Sequence, residues 1–275
     1  MLPTPRDDRL RRSRLGDGPT QRGRSDRECT VSEPDRERAS DLSRRAWELT
    51  DLADYAAAVE ASAGAIELDP NCALAYTVRG WALEGLGEEH LDEARSAYEM
   101  AIHLDATAPW PRTGIADLLR RMGSREEAER LYRAVAGDVV DPSDARPRSL
   151  EFQGWSLYRL GRLDEAIAAF HASLTQAPGR ISVLFDLALT LLVEGLSDEA
   201  TEAYAVAMET VGAADVRRRL APISVASEDL DDAIASHPDV AELSATTAIR
   251  DRLRRELGSL EAADALRSDP PDRAV

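Results

Sequence analysis

The sequence predicts an all-α fold: a solenoid of stacked antiparallel helix pairs, closed at its C-terminal end by capping helices. Three observations lead there. The frame RGWALEGLG (79–87) returns as QGWSLYRLG (153–161) and, more faintly, as RAWELTDLA (45–53). Small residues recur in register at Ala58, Ala94, Ala128, Ala166 and Ala200, followed seven positions later by Ala65, Ala101, Val135, Ser173 and Ala207. Five units start near residues 39, 73, 109, 147 and 181, a spacing of roughly 34 to 38 residues, which is the period of helix–turn–helix repeats.

The chain has 275 residues, 43% of them hydrophobic, enough to bury a sizeable core. Its net charge is -17 and all 34 basic residues are Arg. That charge argues against nucleic acid or an anionic membrane as a partner, because phosphate binding needs a basic face. The absence of Lys, with the richness in Ala and Asp, points to a GC-rich bacterial coding bias. Cys29 and Cys72 are too few for a disulfide framework and lack CxxC spacing. The start, MLPTPRDDRL, carries no apolar run of signal-peptide type, and the longest apolar stretch, 181–193, is interrupted by Asp186 and too short to span a bilayer. A cytoplasmic protein with no membrane contact is expected.

Residues 1–38 read as a disordered Arg/Asp-rich tail: the first forty positions hold ten Arg and eight acidic residues and almost no apolar face. Should Val31 be a GTG start, the first thirty residues would not be made. Five units then occupy 39–213. In the fourth, Leu150, Gly154, Leu157 and Leu160 form one stripe, Gly161 ends it, Ala166, Ile167, Phe170 and Leu174 form the second, and Pro178 stops the chain. Gly154 and Ala166 leave room where the two helices cross, and Phe170 is expected to pack into the next pair. The second unit has about two extra residues around Glu88–His90, and a long Asp- and Pro-rich connection, Gly137–Pro147, follows the third. The fifth unit is apolar on every side (Phe185, Leu189, Leu192, Val193), so a later segment should cover it. Residues 214–268 are expected to supply a degenerate repeat broken by Pro222, with a short helix through Ile234. A capping helix from near Pro238 to Gly258 and a short helix over 259–267 then provide the cover. Residues 269–275 form a disordered tail.

Gly80, Leu83, Gly87, Ala94, Tyr98 and Ala101 in the second unit carry a resemblance to the tetratricopeptide repeat family, as do Gly154, Leu157, Gly161, Ala166, Phe170 and Pro178 in the fourth. It extends over about five repeats, 39–213. The resemblance implies a right-handed superhelical solenoid in which the first helix of each pair lines a concave groove. In that register Trp47, Trp81 and Trp155 share one groove-facing point, just after the small residue at the helix crossing. The other groove positions are Ser40, Ser43, Thr50, Asp51, Leu74, Thr77, Glu84, Trp110, Thr113, Asp117, Arg120, Arg121, Arg148, Glu151, Tyr158 and Arg159. Indole rings make large rigid anchors and Arg gives direction toward acidic groups, so a peptide or helix of a partner protein is the expected ligand. The alternative is a regulatory sensor whose C-terminal segment occupies the groove until displaced. A chaperone-tail clamp does not fit, since Lys is absent and Asn71 is the sole Asn. The four His form no HExxH or Cys/His cluster, and no phosphate-loop or nucleophile-elbow string occurs, so no enzyme activity, metal or cofactor is expected. Homo-oligomerisation stays open.

Overall fold

The computed structural model describes residues 31–138, 146–212 and 216–268. The expectations for residues 1–30, for 269–275 and for most of the connection after the third unit lie outside that range. Helices follow one another in pairs: α1 (Glu33–Thr50) with α2 (Tyr55–Leu68), α3 (Ala73–Leu86) with α4 (Leu91–Leu104), and α5 (Pro109–Arg121) with α6 (Arg125–Gly137). Next come α7 (Pro147–Arg159) with α8 (Leu163–Gln176), and α9 (Ile181–Glu194) with α10 (Ser197–Gly212). The chain ends in α11 (Val216–Ser236), α12 (Pro238–Glu242) and α13 (Ser244–Ser268). Among the described residues there is no strand.

The expected unit starts at 73, 109, 147 and 181 coincide with the first residues of α3, α5, α7 and α9. The first unit differs. Ser32 accepts a hydrogen bond from the Asp35 backbone, Pro34 stands in the first turn, and the helix therefore begins at Glu33, inside the stretch read as tail. The extra residues of the second unit form a short 3-10 turn, Glu88–His90.

Two features recur among the hairpins. Gly161 takes φ 72° in the turn between α7 and α8, a left-handed conformation that a glycine adopts without penalty. At the same frame position the first unit has Ala53, held at φ 57°. The second feature is a ring from the second helix seated in a notch left by glycine. A Cβ added at Gly80 would lie 2.6 Å from the Tyr98 ring, and one added at Gly114 of the next unit would meet the other side of that ring, also at 2.6 Å. Phe170 likewise faces Gly154 of its own pair, where an added Cβ would stand 2.7 Å away, and it shares an apolar cluster with Val183 and Leu184 of the next.

The fifth unit is as buried as its composition demands. Val183, Leu184, Phe185 and Leu187 to Leu192 are all inaccessible or nearly so. The cover differs from the expected one. One 21-residue helix, α11, runs without interruption through Pro222 and brings Ile223, Ala226, Leu230 and Ala233 into the same apolar cluster as α9. Proline forfeits one backbone hydrogen bond in a helix interior. Burying Ile223 and Leu230 completely offsets that loss, at about 1.5–3 kcal/mol for each side chain. Beyond it α13 packs on α10 and α11 through Ile249, Leu253 and Leu260, and it runs through Gly258 instead of stopping there.

Gly114→Ala should destabilise the protein by about 1–3 kcal/mol, because Tyr98 cannot retreat from one glycine without striking the other, and this outweighs a helix-propensity gain of about 1 kcal/mol. Ala53→Gly should raise stability by roughly 1 kcal/mol by removing left-handed strain. Urea melts of the two variants beside the wild type check both signs.

Candidate functional site

The first helices touch one another in series, α1 to α3, α3 to α5, α5 to α7 and α7 to α9, which sets them on the inside of the curve. Their side chains then meet across more than one unit. Trp47 of α1, Trp81 of α3 and Trp110 of α5 form a mutual edge-to-face cluster, with ring centres 5.8 Å (47 to 81), 5.2 Å (81 to 110) and 4.3 Å (47 to 110) apart. Phe152 of α7 stacks on Trp110 at 5.6 Å. Arg148, also on α7, lays its guanidinium 3.6 Å over the Trp47 ring and 5.9 Å from that of Trp110. Each aromatic pair adds about 0.5–1.5 kcal/mol beyond the area it buries, so these half-buried rings tie the first units together as well as lining their inner face. Burial and the charge of Arg180 lower the Arg148 pKa, against support from Glu151 and Asp51.

A second group gathers at the C-terminal ends of α5 and α7. Asp117 accepts hydrogen bonds from the Tyr132 hydroxyl at 2.6 Å and from the Trp155 indole N–H at 3.1 Å, and Arg159 Nε lies 3.4 Å from it. The Arg159 guanidinium rests 4.3 Å from the Trp155 ring centre, and Trp155 stacks on Tyr158 at 5.2 Å. Trp155 therefore leaves its two frame mates and joins this ionic group. Asp232 of α11 binds both arginines: Arg159 Nη1 donates at 2.8 Å, Arg120 Nη1 donates at 3.4 Å, and Arg120 Nη2 stands at 3.2 Å. Against the upward push of burial, these hydrogen bonds and charges hold the Asp232 carboxyl below its ordinary value.

Glu84 accepts a 2.5 Å hydrogen bond from Tyr98 and lies 4.0 Å from Arg121. Burial pushes its carboxyl up to about 7, with Asp117 adding to the rise and Tyr98 and Arg121 opposing it. Glu151 is buried between Arg180, with which it is paired, and Ser182 Oγ at 2.7 Å, and Tyr158 is only 6% exposed. Four expected groove residues lie elsewhere. Ser43, Thr50, Thr77 and Thr113 are buried and return hydrogen bonds to the carbonyls of Ala39, Trp47, Ala73 and Pro109, as short hydroxyl side chains do inside helices.

The sequence reading missed Phe152, Asp186, Asp229 and Asp232. The signal for the last two was local: SEDLDDA places Asp229 and Asp232 three apart beside Leu230 and Ala233. It also set the cover of α9 at the helix from Pro238, whereas α11 makes that contact and α13 lies behind it. Among the described residues no group of three His, Cys, Asp or Glu could hold a metal ion, and no helix is long and apolar enough to cross a membrane.

The sequence model of the tetratricopeptide repeat matches residues 113–181 and 153–215. The solved structure of the Cut9–Hcn1 APC/C hetero-tetramer is similar at a TM-score of 0.50 and 14% identity, over 80% of this chain and 43% of that one. Pseudomonas aeruginosa pilF is similar at a TM-score of 0.44 and 20% identity, over 82% of this chain and 100% of that one. PilW, a type IV pilus biogenesis factor, gives 0.45 and 18%, over 81% and 97%. At such identities the likeness is one of fold. No curated protein matches.

Asp229 sits where α11 meets this ionic group. Burial pushes its carboxyl up to about 7; Arg159 opposes the rise, while Asp117, Asp232 and Glu228 add to it. Asp186 is also raised, by burial, Glu151 and Asp229. A carboxyl raised in the folded chain keeps a proton that the unfolded chain has released, so stability falls as pH rises from about 4 to about 7. The depressed Asp232 contributes throughout that window and its share is lost only at lower pH. The melting temperature should therefore be higher at pH 5 than at pH 8, and Asp229→Asn should narrow the difference. Thermal melts followed by circular dichroism at the two pH values check this.

Proposed function

We propose, on the premise that the chain is a tetratricopeptide-repeat protein, that it is a non-catalytic interaction module of the bacterial cytoplasm holding a peptide or helix of a partner protein on its concave face. Such repeats serve in general as protein–protein interaction scaffolds. The observation that carries the reading is the strip formed by Trp47, Trp81, Trp110 and Phe152 with Arg148 laid over it. Four half-buried rings and a cation share one face, the composition of a binding hot spot. Aromatic shelves of this kind take apolar side chains of an extended or helical segment, and the guanidinium favours an acidic neighbour on it.

A second reading, a sensor whose own C-terminal segment occupies part of the face, is favoured by Asp232 lying between Arg120 and Arg159. The segment concerned is α11 (Val216–Ser236), which comes before the helix expected from Pro238.

Trp81→Ala should keep its helical circular dichroism and lose the principal protein that the wild type retains in a pull-down from cells expressing it. Retention of an unchanged set of proteins by the variant speaks against the aromatic strip as the binding surface.

A further inference from the structure

α11 meets the array on two sides with different chemistry. Toward α9 it offers a spine, Ile223, Ala226, Leu230 and Ala233, at the spacing of one helical face, all of it buried. Toward α5 and α7 it offers Asp232, held by two guanidinium groups, with Asp229 in the field of Arg159. The spine and the acidic edge together describe a ligand: an amphipathic helix carrying an Asp or Glu beside a small-and-Leu stripe. The apolar half supplies most of the attraction, since burying a whole Leu or Ile side chain outweighs a partly exposed ion pair. The charged half supplies selection. An uncharged helix would leave Arg120 and Arg159 confronting each other with Asp117 beside Arg159 and no anion between the two. A basic one would set a third cation beside them.

We infer that α11 is an internal stand-in for the partner, and that the surface made by α9, Arg120 and Arg159 takes an acidic amphipathic helix of another protein in its place. This rests on the reading that the inner face binds a partner segment, and it adds what that segment must look like. The tethered α11 competes at the high effective concentration of an intramolecular ligand, so a partner helix gains access when α11 is weakened or when the partner also engages the aromatic strip.

The test uses the full chain and a fluorescein-labelled synthetic peptide of residues 219–236 as the probe, read by anisotropy. Asp232→Arg in the chain sets a third guanidinium against Arg120 and Arg159 and loosens α11. That variant should bind the peptide at least tenfold more tightly than the wild type does. A peptide with Asp232→Asn should lose at least tenfold of that affinity, as should Arg159→Gln added to the variant chain. Equal affinity for the parent and Asp232→Asn peptides, or no saturable binding by a variant that keeps its helical circular dichroism, overturns the proposal. If Asp232→Arg unfolds the chain, hydrogen exchange on the wild type decides. Amides of α11 exchanging at least tenfold faster than those of α5 to α9 support a detachable helix, and exchange at the same rate overturns it. The Trp81→Ala comparison reads the aromatic strip without reference to α11, so failure of either idea is visible separately.

Discussion

A ring pressed into a notch of missing side chains is the contact on which the array depends. Tyr98 leaves α4 and lies between Gly80 of its own pair and Gly114 of the next, with no space for a methyl group on either side. A helix pair by itself exposes an apolar face, and only the neighbouring pair can bury it. Tyr98 performs both tasks with one side chain, closing its own hairpin and setting the distance to the next. Its hydroxyl then reaches Glu84, so the packing contact also positions a carboxylate among the polar groups of the inner face.

Curvature follows from these small notches, and chemistry follows from curvature. Because first helices approach one another more closely than a straight stack would allow, residues far apart in sequence become neighbours. Trp47 touches Trp110, and Arg120 shares a carboxylate with Arg159. The inner face is therefore an interior in which indoles, guanidiniums and carboxylates already satisfy one another. Any ligand reaching it exchanges contacts with residues of the chain itself instead of entering an empty channel. The strongly acidic composition shows its use here too: carboxylates surround nearly every arginine of this face, and burial leaves two of them, Glu84 and Asp229, titrating near neutrality.

Much of this was legible because a repeat prints its period into the chain. The starts of α3, α5, α7 and α9 could be read from small residues in register and from turn glycines, which are local requirements of each hairpin. The identity of the lining was legible in part: Trp47, Trp81 and Trp110 meet, yet nothing in the shared frame shows that Trp155 turns instead to Asp117, because that choice depends on a carboxylate 38 residues away. Ser43, Thr50, Thr77 and Thr113 read as groove residues and are buried, since a hydroxyl can satisfy itself on its own backbone and needs no solvent. The C-terminal segment was the least legible. Pro222 and Gly258 are breakers by local preference, and burial against α9, α10 and α11 overrides both. The pairing of Asp232 with Arg120 spans 112 positions and leaves no periodic trace.

Arg148 resting on Trp47 has a mechanical meaning. It fastens the fourth pair to the first across the bore of the coil, so the four pairs between them form a closed ring of contacts instead of an open spring. Tension applied along the coil cannot lengthen it pair by pair. The cation must first slide off the indole, and this end of the molecule then yields in one step, stiff up to that point and compliant after it.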